Sequence, residues 1–319
     1  MIVFLSGATG FVGRALCTRL AADGIRVRAA LRTSQNDLPA EQVIVPSVGP
    51  KADWTEGLVS VETVVHLAAH VHVMKSGAED ERLFHEINIE GTRHLAESAA
   101  ATGVKRFIFL STVKVHGERT HGTPFTEEMP LAPEDAYSRS KAEAESVLKR
   151  IGQASGMEIV IIRPPLVYGP GVKANFLQLL KFVHRGVPLP LGALHNARSL
   201  VYLDNLVDAV VTCIQHHSAA NETFLVSDGK DLSTADLVRL TAKAMDVQVF
   251  LPPIPTKLLR LGGKLLGKGD MVGRIMDSLQ IDSSFVQKKL GWRPPHTIEE
   301  GLQKTVQWFL EQQKRSAGR

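Results

Sequence analysis

The chain has 319 residues, 44% of them hydrophobic and 22% charged, enough for one large or two modest domains with a full hydrophobic core. Its net charge is +4, with Lys and Arg scattered rather than blocked, which suits an anionic small molecule and argues against nucleic acid. Two cysteines, Cys17 and Cys213, are too few for a disulfide framework, lack metal-ligand spacing and fit a reducing cytoplasm.

The N-terminal run Met1–Leu5 is apolar but has no basic flank and leads straight into glycines, so it reads as a buried strand rather than a signal peptide. The predicted elements then follow in order. Ile2–Ser6 is a strand and Phe11–Asp23 an amphipathic helix. Arg26–Leu31, Val43–Val45 and Thr63–Leu67 are strands. Leu83–Thr102 is a helix with Ile87, Leu95 and Ala99 on its apolar stripe. Arg106–Ser111 is a strand, Tyr137–Ile151 a helix and Glu158–Arg163 a strand. This alternation predicts an α/β fold, a doubly wound parallel (Rossmann) sheet with ligands at the carboxyl ends of its strands.

After Arg163 the pattern changes. Pro164, Pro165, Gly169, Pro170, Gly171, Pro188, Pro190 and Gly192 punctuate the chain. A smaller C-terminal substrate domain is expected from residues 166–198 plus about 220–319, with 1–165 plus about 199–219 forming the nucleotide-binding domain. Lys257–Lys268 mixes leucines with Lys257, Arg260, Lys264 and Lys268. It reads as a surface helix or lid, with contact to a membrane surface as the alternative. No apolar run reaches the roughly 18 residues of a membrane span.

The first strand is followed by Gly7-Ala8-Thr9-Gly10-Phe11-Val12-Gly13 and then a helix. Glycines at this spacing permit a tight turn, a close approach to a pyrophosphate and close packing of helix on sheet. The helix start adds free N–H groups. At the end of the second strand an acid would bind the ribose of NAD, but here stand Leu31-Arg32-Thr33-Ser34. Arg32, with Arg28, is a candidate for a 2′-phosphate. That favours NADP(H) over NAD(H), the other reading being a solvated Arg32 and use of either cofactor.

Tyr137 and Lys141 lie four apart and so share a helix face. A nearby ammonium favours the phenolate, making Tyr137 a candidate acid/base toward a substrate hydroxyl. Strand Arg106–Ser111 ends at the same sheet edge, where Thr112 offers a hydroxyl to the same oxygen.

The glycine loop, Asn88, Ser111-Thr112, Tyr137-Ser138-Arg139-Ser140-Lys141, Arg163-Pro164-Pro165, Leu290-Gly291-Trp292 and Glu300-Gly301-Leu302 together resemble the extended short-chain dehydrogenase/reductases over essentially the whole chain. Within them the chain is similar to the nucleotide-sugar epimerase, dehydratase and reductase group. The resemblance implies that Gly7 to Gly13 hold the pyrophosphate, that Leu67, Ala68, Ala69, Asn88, Ser111 and Pro164 lie beside the cofactor, and that Lys141 also holds its ribose. Thr112, Tyr137 and Lys141 are the implied catalytic set. Asn175 and Arg198 are implied on the substrate diphosphate, where a guanidinium fork suits paired oxygens. His72 is a candidate to line the sugar pocket, and His70 with His72 is too small a set to expect a metal.

Stretches such as Val172-Lys173-Ala174-Asn175-Phe176-Leu177 look like bacterial reductases of UDP-linked 4-keto-6-deoxy-N-acetylhexosamines in O-antigen assembly. Leu166, where 4-epimerases commonly carry asparagine, and the missing acid near Arg32 favour that reductase. A UDP-hexose or UDP-N-acetylhexosamine 4-epimerase is the alternative. A 4,6-dehydratase ranks third. A non-catalytic NAD(P) sensor or a reductase of apolar ketones would leave the catalytic set or Arg198 and Asn175 without a role. The helices Leu83–Thr102 and Tyr137–Ile151 are candidates to pair in a homodimer.

Overall fold

Strand Ile2–Ser6 (β1) is apolar through Leu5 because both its faces are covered: Val3 and Leu5 enter one core, Ile2 and Phe4 another. In the computed structural model, which describes residues 1–71, 78–265, 267 and 269–317, this pattern recurs across a seven-stranded parallel sheet. The elements are β1, helix Phe11–Ala22 (α1), strands Arg26–Leu31 (β2), Glu41–Ile44 (β3) and Thr63–His66 (β4), helix Ala78–Leu83 (α2), a π-helical segment Phe84–Gly91, and helix Thr92–Ala101 (α3). Strand Arg106–Leu110 (β5), helix Ala136–Ser155 (α4) and strand Glu158–Arg163 (β6) complete the first half. Each expected strand and helix forms, with ends shifted by a few residues at most.

The second half holds strand Leu166–Tyr168 (β7), helix Ala174–His184 (α5), strand Leu200–Tyr202 (β8), helix Leu203–Gln215 (α6) and strand Thr223–Leu225 (β9). Helices Thr234–Met245 (α7), Thr256–Leu265 (α8), Gly269–Met276 (α9), Ser284–Leu290 (α10) and Ile298–Ala317 (α11) follow.

The sheet order is β3-β2-β1-β4-β5-β6-β9. Strand order therefore reverses between β1 and β4, and such a switch point leaves a crevice at the carboxyl ends of the strands. Residues of α1 and α6 bury one face of the sheet, while α3, α4 and Trp54 bury the other. Thr223–Leu225 pairs with β6, so the seven-stranded sheet takes in residues beyond 219. Its Phe224 is fully buried in the main core, and Leu225 in a smaller cluster with Val113, Leu279 and Ile281.

The smaller lobe is built on the two-stranded parallel sheet β7-β8, packed with α5, α7 and α11 around Tyr168, Tyr202, Leu180, Val238 and Phe309. Asp228, just after β9, ties this lobe to the main sheet. It accepts hydrogen bonds from Tyr168 Oη (2.9 Å), the Tyr202 backbone N–H (2.8 Å) and Asn205 Nδ2 (2.7 Å). Trp292 belongs to the main core, as expected, and its ring N–H donates to Asp208.

One predicted face is rotated. Ile87, expected on the buried stripe, is only half-buried, while Asn88 and Ile89 are fully buried. The cause is the π-helical winding of Phe84–Gly91, whose wider turn shifts the inward face relative to a 3.6-residue period.

Candidate active site

The glycine loop stands at the switch point, between β1 and α1. Gly7 has φ of 76°, and a Cβ there would lie 2.6 Å from the Ala68 backbone nitrogen. A Cβ on Gly13 would lie 2.1 Å from the Gly7 carbonyl oxygen. Only glycine lets the loop, α1 and the Leu67-Ala68-Ala69 stretch after β4 come this close. Gly10 is the N-cap of α1 and supplies no side-chain cap, and Thr9 and Gly10 are exposed. Ala8 is buried under the loop, and Phe11 and Val12 pack at its rim. Exposed loop backbone at a helix start, closed on one side by Leu67–Ala69, fits a dinucleotide's pyrophosphate.

The two arginines offered for a 2′-phosphate separate. Arg28 is spent elsewhere: its guanidinium donates to Glu41 (2.9 Å) and to the carbonyls of Gly57 (3.2 Å) and Val59 (2.7 Å). It sits mid-strand in β2, not at the strand's carboxyl end, and that part of the expectation is withdrawn. Arg32 lies just beyond β2 and is exposed.

Asn88 is the hub between the loop after β4 and helix α4. It is 1% exposed. Its Oδ1 accepts from the His70 backbone N–H (2.7 Å), and its Nδ2 donates to the His70 carbonyl (3.1 Å) and to Ser140 Oγ (2.9 Å). This trio engages both N–H donors and the oxygen of the amide. His72, expected in the sugar pocket, lies outside the described residues, and so does the His70/His72 pair.

Helix α4 carries the candidate chemistry. Its start is fixed by a capping box: Asp135 accepts from the Ser138 N–H (2.6 Å), and Ser138 Oγ accepts from the Asp135 N–H (3.1 Å). Burial opposes ionisation of Asp135, but the Ser138 hydrogen bonds and the Lys114 ammonium outweigh it and hold the carboxyl at about 2. Tyr137, Lys141 and Glu145 follow at four-residue steps and so share a face. Burial, with the charge of Asp135, pushes the Tyr137 phenol up to about 12. Lys141 is 2% exposed and its ammonium sits 3.9 Å from the centroid of the Phe109 ring. Burial brings it down to about 7, against the pull of Glu145.

Thr112 follows β5 and caps the short turn Val113–Val115, accepting from the Lys114 N–H (3.3 Å). The Pro164 carbonyl accepts from the Val113 N–H (3.0 Å), which pins Thr112 beside the end of β6. Ser111 Oγ donates to Glu145 Oε1 (2.5 Å). Glu145 in turn takes a two-point ion pair from Arg163, which also contacts His116 (2.9 Å). Ser111 was expected beside a cofactor; the buried network it joins with Glu145 and Arg163 was not anticipated from sequence. The available signal was Glu145, four residues beyond Lys141.

A second network missed from sequence lies under the glycine loop. Ser6 Oγ and His66 Nδ1 are 2.5 Å apart, and His66 Nε2 meets Thr92 Oγ1 at 2.9 Å. Burial first, then the Lys141 charge, brings His66 down to about 3, so the imidazole is neutral.

Of the expected diphosphate pair, Asn175 is exposed on the first turn of α5, next to Ala174 with φ of 50°. Arg198 is partly buried, and its Nη1 donates to the carbonyls of Arg274 (2.8 Å) and Asp277 (2.9 Å) of the α9 region. Beside it, Asp135, Glu118, Arg260 and Arg274 line a cleft of about 440 Å³ between the start of α4 and helices α8 and α9. Leu166, on β7, is 44% exposed.

Residues 3–227 match the family described as NAD dependent epimerase/dehydratase. The chain is 47% identical over 318 residues to a UDP-glucose 4-epimerase of Vibrio cholerae, covering 98% of this chain and 97% of that one. It is 29% identical to the N-acetyl-alpha-D-glucosaminyl-diphospho-ditrans,octacis-undecaprenol 4-epimerase of Escherichia coli O157:H7, covering 96% and 94%. The solved UDP-glucose 4-epimerase of Thermotoga maritima with UDP-glucose superposes with a TM-score of 0.78 at 25% identity, over 98% of this chain and all of that one. With the glycine cradle, the Tyr137-Lys141 helix face and the switch-point crevice in place, these matches make the chain a member of the NAD dependent epimerase/dehydratase family, within the short-chain dehydrogenase/reductases.

Proposed function

We propose that the protein is an NAD-dependent 4-epimerase of a UDP-linked hexose. The observation that carries this is the 47% identity, over nearly the full length, to a UDP-glucose 4-epimerase, with Thr112, Tyr137 and Lys141 at the same sheet edge. It displaces the 4-keto reductase favoured from sequence. That reading leaned on Leu166 and on the missing acid near Arg32. Leu166 is largely exposed, and Arg28 is engaged with Glu41 and two carbonyls. The same facts move the favoured cofactor from NADP(H) to NAD(H).

In this reading Gly7, Ala8, Thr9, Gly10, Phe11, Val12 and Gly13 receive the pyrophosphate on the backbone of the loop and α1. The stretch Leu67–Ala69, followed by His70, whose backbone Asn88 holds, walls the other side. The chemistry a bound nicotinamide supplies is reversible hydride uptake from C4. Tyr137 takes the proton of the C4 hydroxyl and returns it to the same oxygen after the sugar has presented its other face. Thr112 holds that oxygen by its hydroxyl. With burial and the Asp135 charge alone acting on it, the Tyr137 phenol, at about 12, is a poor base at neutral pH. A charged Lys141 on the same helix face lowers it, and a positively charged ring nearby adds to that effect. Lys141, brought to about 7 by burial, gains charge most readily when an anionic ligand enters. Arg198 and Asn175 are the candidates for the substrate diphosphate. The substrate is a UDP-sugar and the protein works on it as a small molecule.

The test is to incubate purified protein with UDP-glucose, or with UDP-N-acetylglucosamine, without added cofactor and to follow the C4 epimer by chromatography. Interconversion to equilibrium, with nicotinamide released only on denaturation, is expected. No epimer with or without added NAD⁺, together with NADH or NADPH oxidation by a UDP-4-keto-6-deoxy-N-acetylhexosamine, would restore the reductase.

A further inference from the structure

Helix α8, Thr256–Leu265, departs from the other helices in what it shows to solvent. Leu258, Leu261 and Leu265 are 58%, 55% and 78% exposed. At about 100° per residue they fall within an arc of about 60°. Lys257, Arg260 and Lys264, all exposed, form a second stripe along one flank of the first. The opposite flank, with Gly262 and Leu259, is half-buried against the protein. Three leucines in water are costly for a helix that has a covered side available, and cations bordering them are the pattern of a helix lying in a lipid interface. Long basic side chains there keep their charge at the headgroups while their stems lie along the acyl boundary.

The exposed apolar surface continues beyond α8. Phe250, 67% exposed, lies shortly before the helix, and its carbonyl accepts from the Leu189 N–H. Val187 is exposed two residues before Leu189, and its N–H donates to the carbonyl of Phe182, also exposed. No helix among the described residues is long and apolar enough to cross a membrane.

We propose that α8 is a membrane-surface helix: its Leu258-Leu261-Leu265 stripe seats in an anionic lipid bilayer, with Lys257 and Lys264 on the acidic headgroups. Charge complementarity selects the anionic lipid over a neutral one. Arg260 is engaged with Asp277 (2.6 Å) and so holds α8 to the α9 region instead. Because Arg260 also lines the cleft beside Asp135, the docked helix brings the mouth of that cleft to the lipid headgroups. The proposal does not depend on which sugar nucleotide the site takes.

Sedimentation of the full chain with sucrose-loaded vesicles tests it. The protein is expected to pellet with vesicles of phosphatidylcholine plus phosphatidylglycerol and to remain in solution with phosphatidylcholine alone. Leu258→Ser/Leu261→Ser/Leu265→Ser should lower the partition coefficient by about tenfold or more. Lys257→Gln/Lys264→Gln should lower it several-fold and remove most of its salt dependence. All five side chains are exposed, so thermal midpoints matching the parent separate lost docking from lost folding. A parent protein that ignores anionic vesicles, or a leucine variant that pellets as well as the parent, overturns the proposal. A parent dimer converted to monomer by the leucine substitutions, without vesicle binding, overturns it in favour of a second copy of the chain on this face.

Discussion

The Lys141 ammonium lies over the Phe109 ring, 3.9 Å from its centroid, on a side chain that solvent barely reaches. A cation held in a site this dry is a cost to the fold that function maintains. The sign follows from burial. Lys141 sits at about 7 in the folded protein and near the free-lysine value of 10.5 when unfolded. The penalty is therefore complete below pH 7 and fades as pH rises toward 10.5. Lys141→Met should raise stability at pH 6 by on the order of 1 kcal/mol or more, with the gain shrinking above pH 7 and activity lost throughout. Urea melts at several pH values measure the first effect, and epimer formation the second.

Tyr137→Phe removes the proton-carrying oxygen and leaves the ring beside Phe84. The expected result is a fall in kcat of about 10² to 10⁴ with KM little changed. A parallel fall in KM and kcat, or retention of activity, would assign the proton step to another group.

Buried histidines set the acid limit of the fold. His66 at about 3 and His116 at about 4 stay neutral while their unfolded counterparts titrate near 6.5. The unfolded chain then binds more protons than the folded one, so stability falls as pH drops from about 6.5 toward 4. His66→Gln should flatten this slope in urea midpoints taken over that window. An unchanged slope would place the acid sensitivity elsewhere.

The Glu145–Arg163 pair is 1% and 2% exposed at its two ends. Arg163→Leu strands the carboxylate and should cost about 3–5 kcal/mol of unfolding free energy. Combining it with Glu145→Met removes both charges and should recover much of the loss. Equal stability of the single and double variants would show that the pair is not coupled.

Gly301 lies where α11 crosses two buried rings, and a Cβ would stand 2.7 Å from Tyr168 Oη and 2.8 Å from Tyr202 Cγ. Gly301→Ala should destabilise by about 1–3 kcal/mol, read as a lowered urea midpoint with an unchanged slope. The Glu300-Gly301-Leu302 signature noticed in the sequence thus has a steric cause.

The sheet was legible because short apolar runs and glycine spacing are local signals. Val3 and Leu5 against Ile2 and Phe4, followed by Gly7 to Gly13, announce a strand, a turn and a helix without tertiary information. Tyr137 and Lys141 were legible for the same reason, being one helical turn apart. What stayed hidden depends on distant partners. Arg28 looked free until Gly57 and Val59, some thirty residues on, supplied its acceptors. Strand Thr223–Leu225 is too short to announce itself and is defined by β6. The π-helical Phe84–Gly91 moved Asn88 inward, and its meaning depends on Ser140, fifty-two residues away.

Asp228 has a mechanical consequence. Prising the small sheet away from the large one would strip a buried carboxylate of two donors, the Tyr168 hydroxyl and the Tyr202 N–H, so the two lobes are riveted at that edge. The rivet leaves little freedom for a clam-like opening.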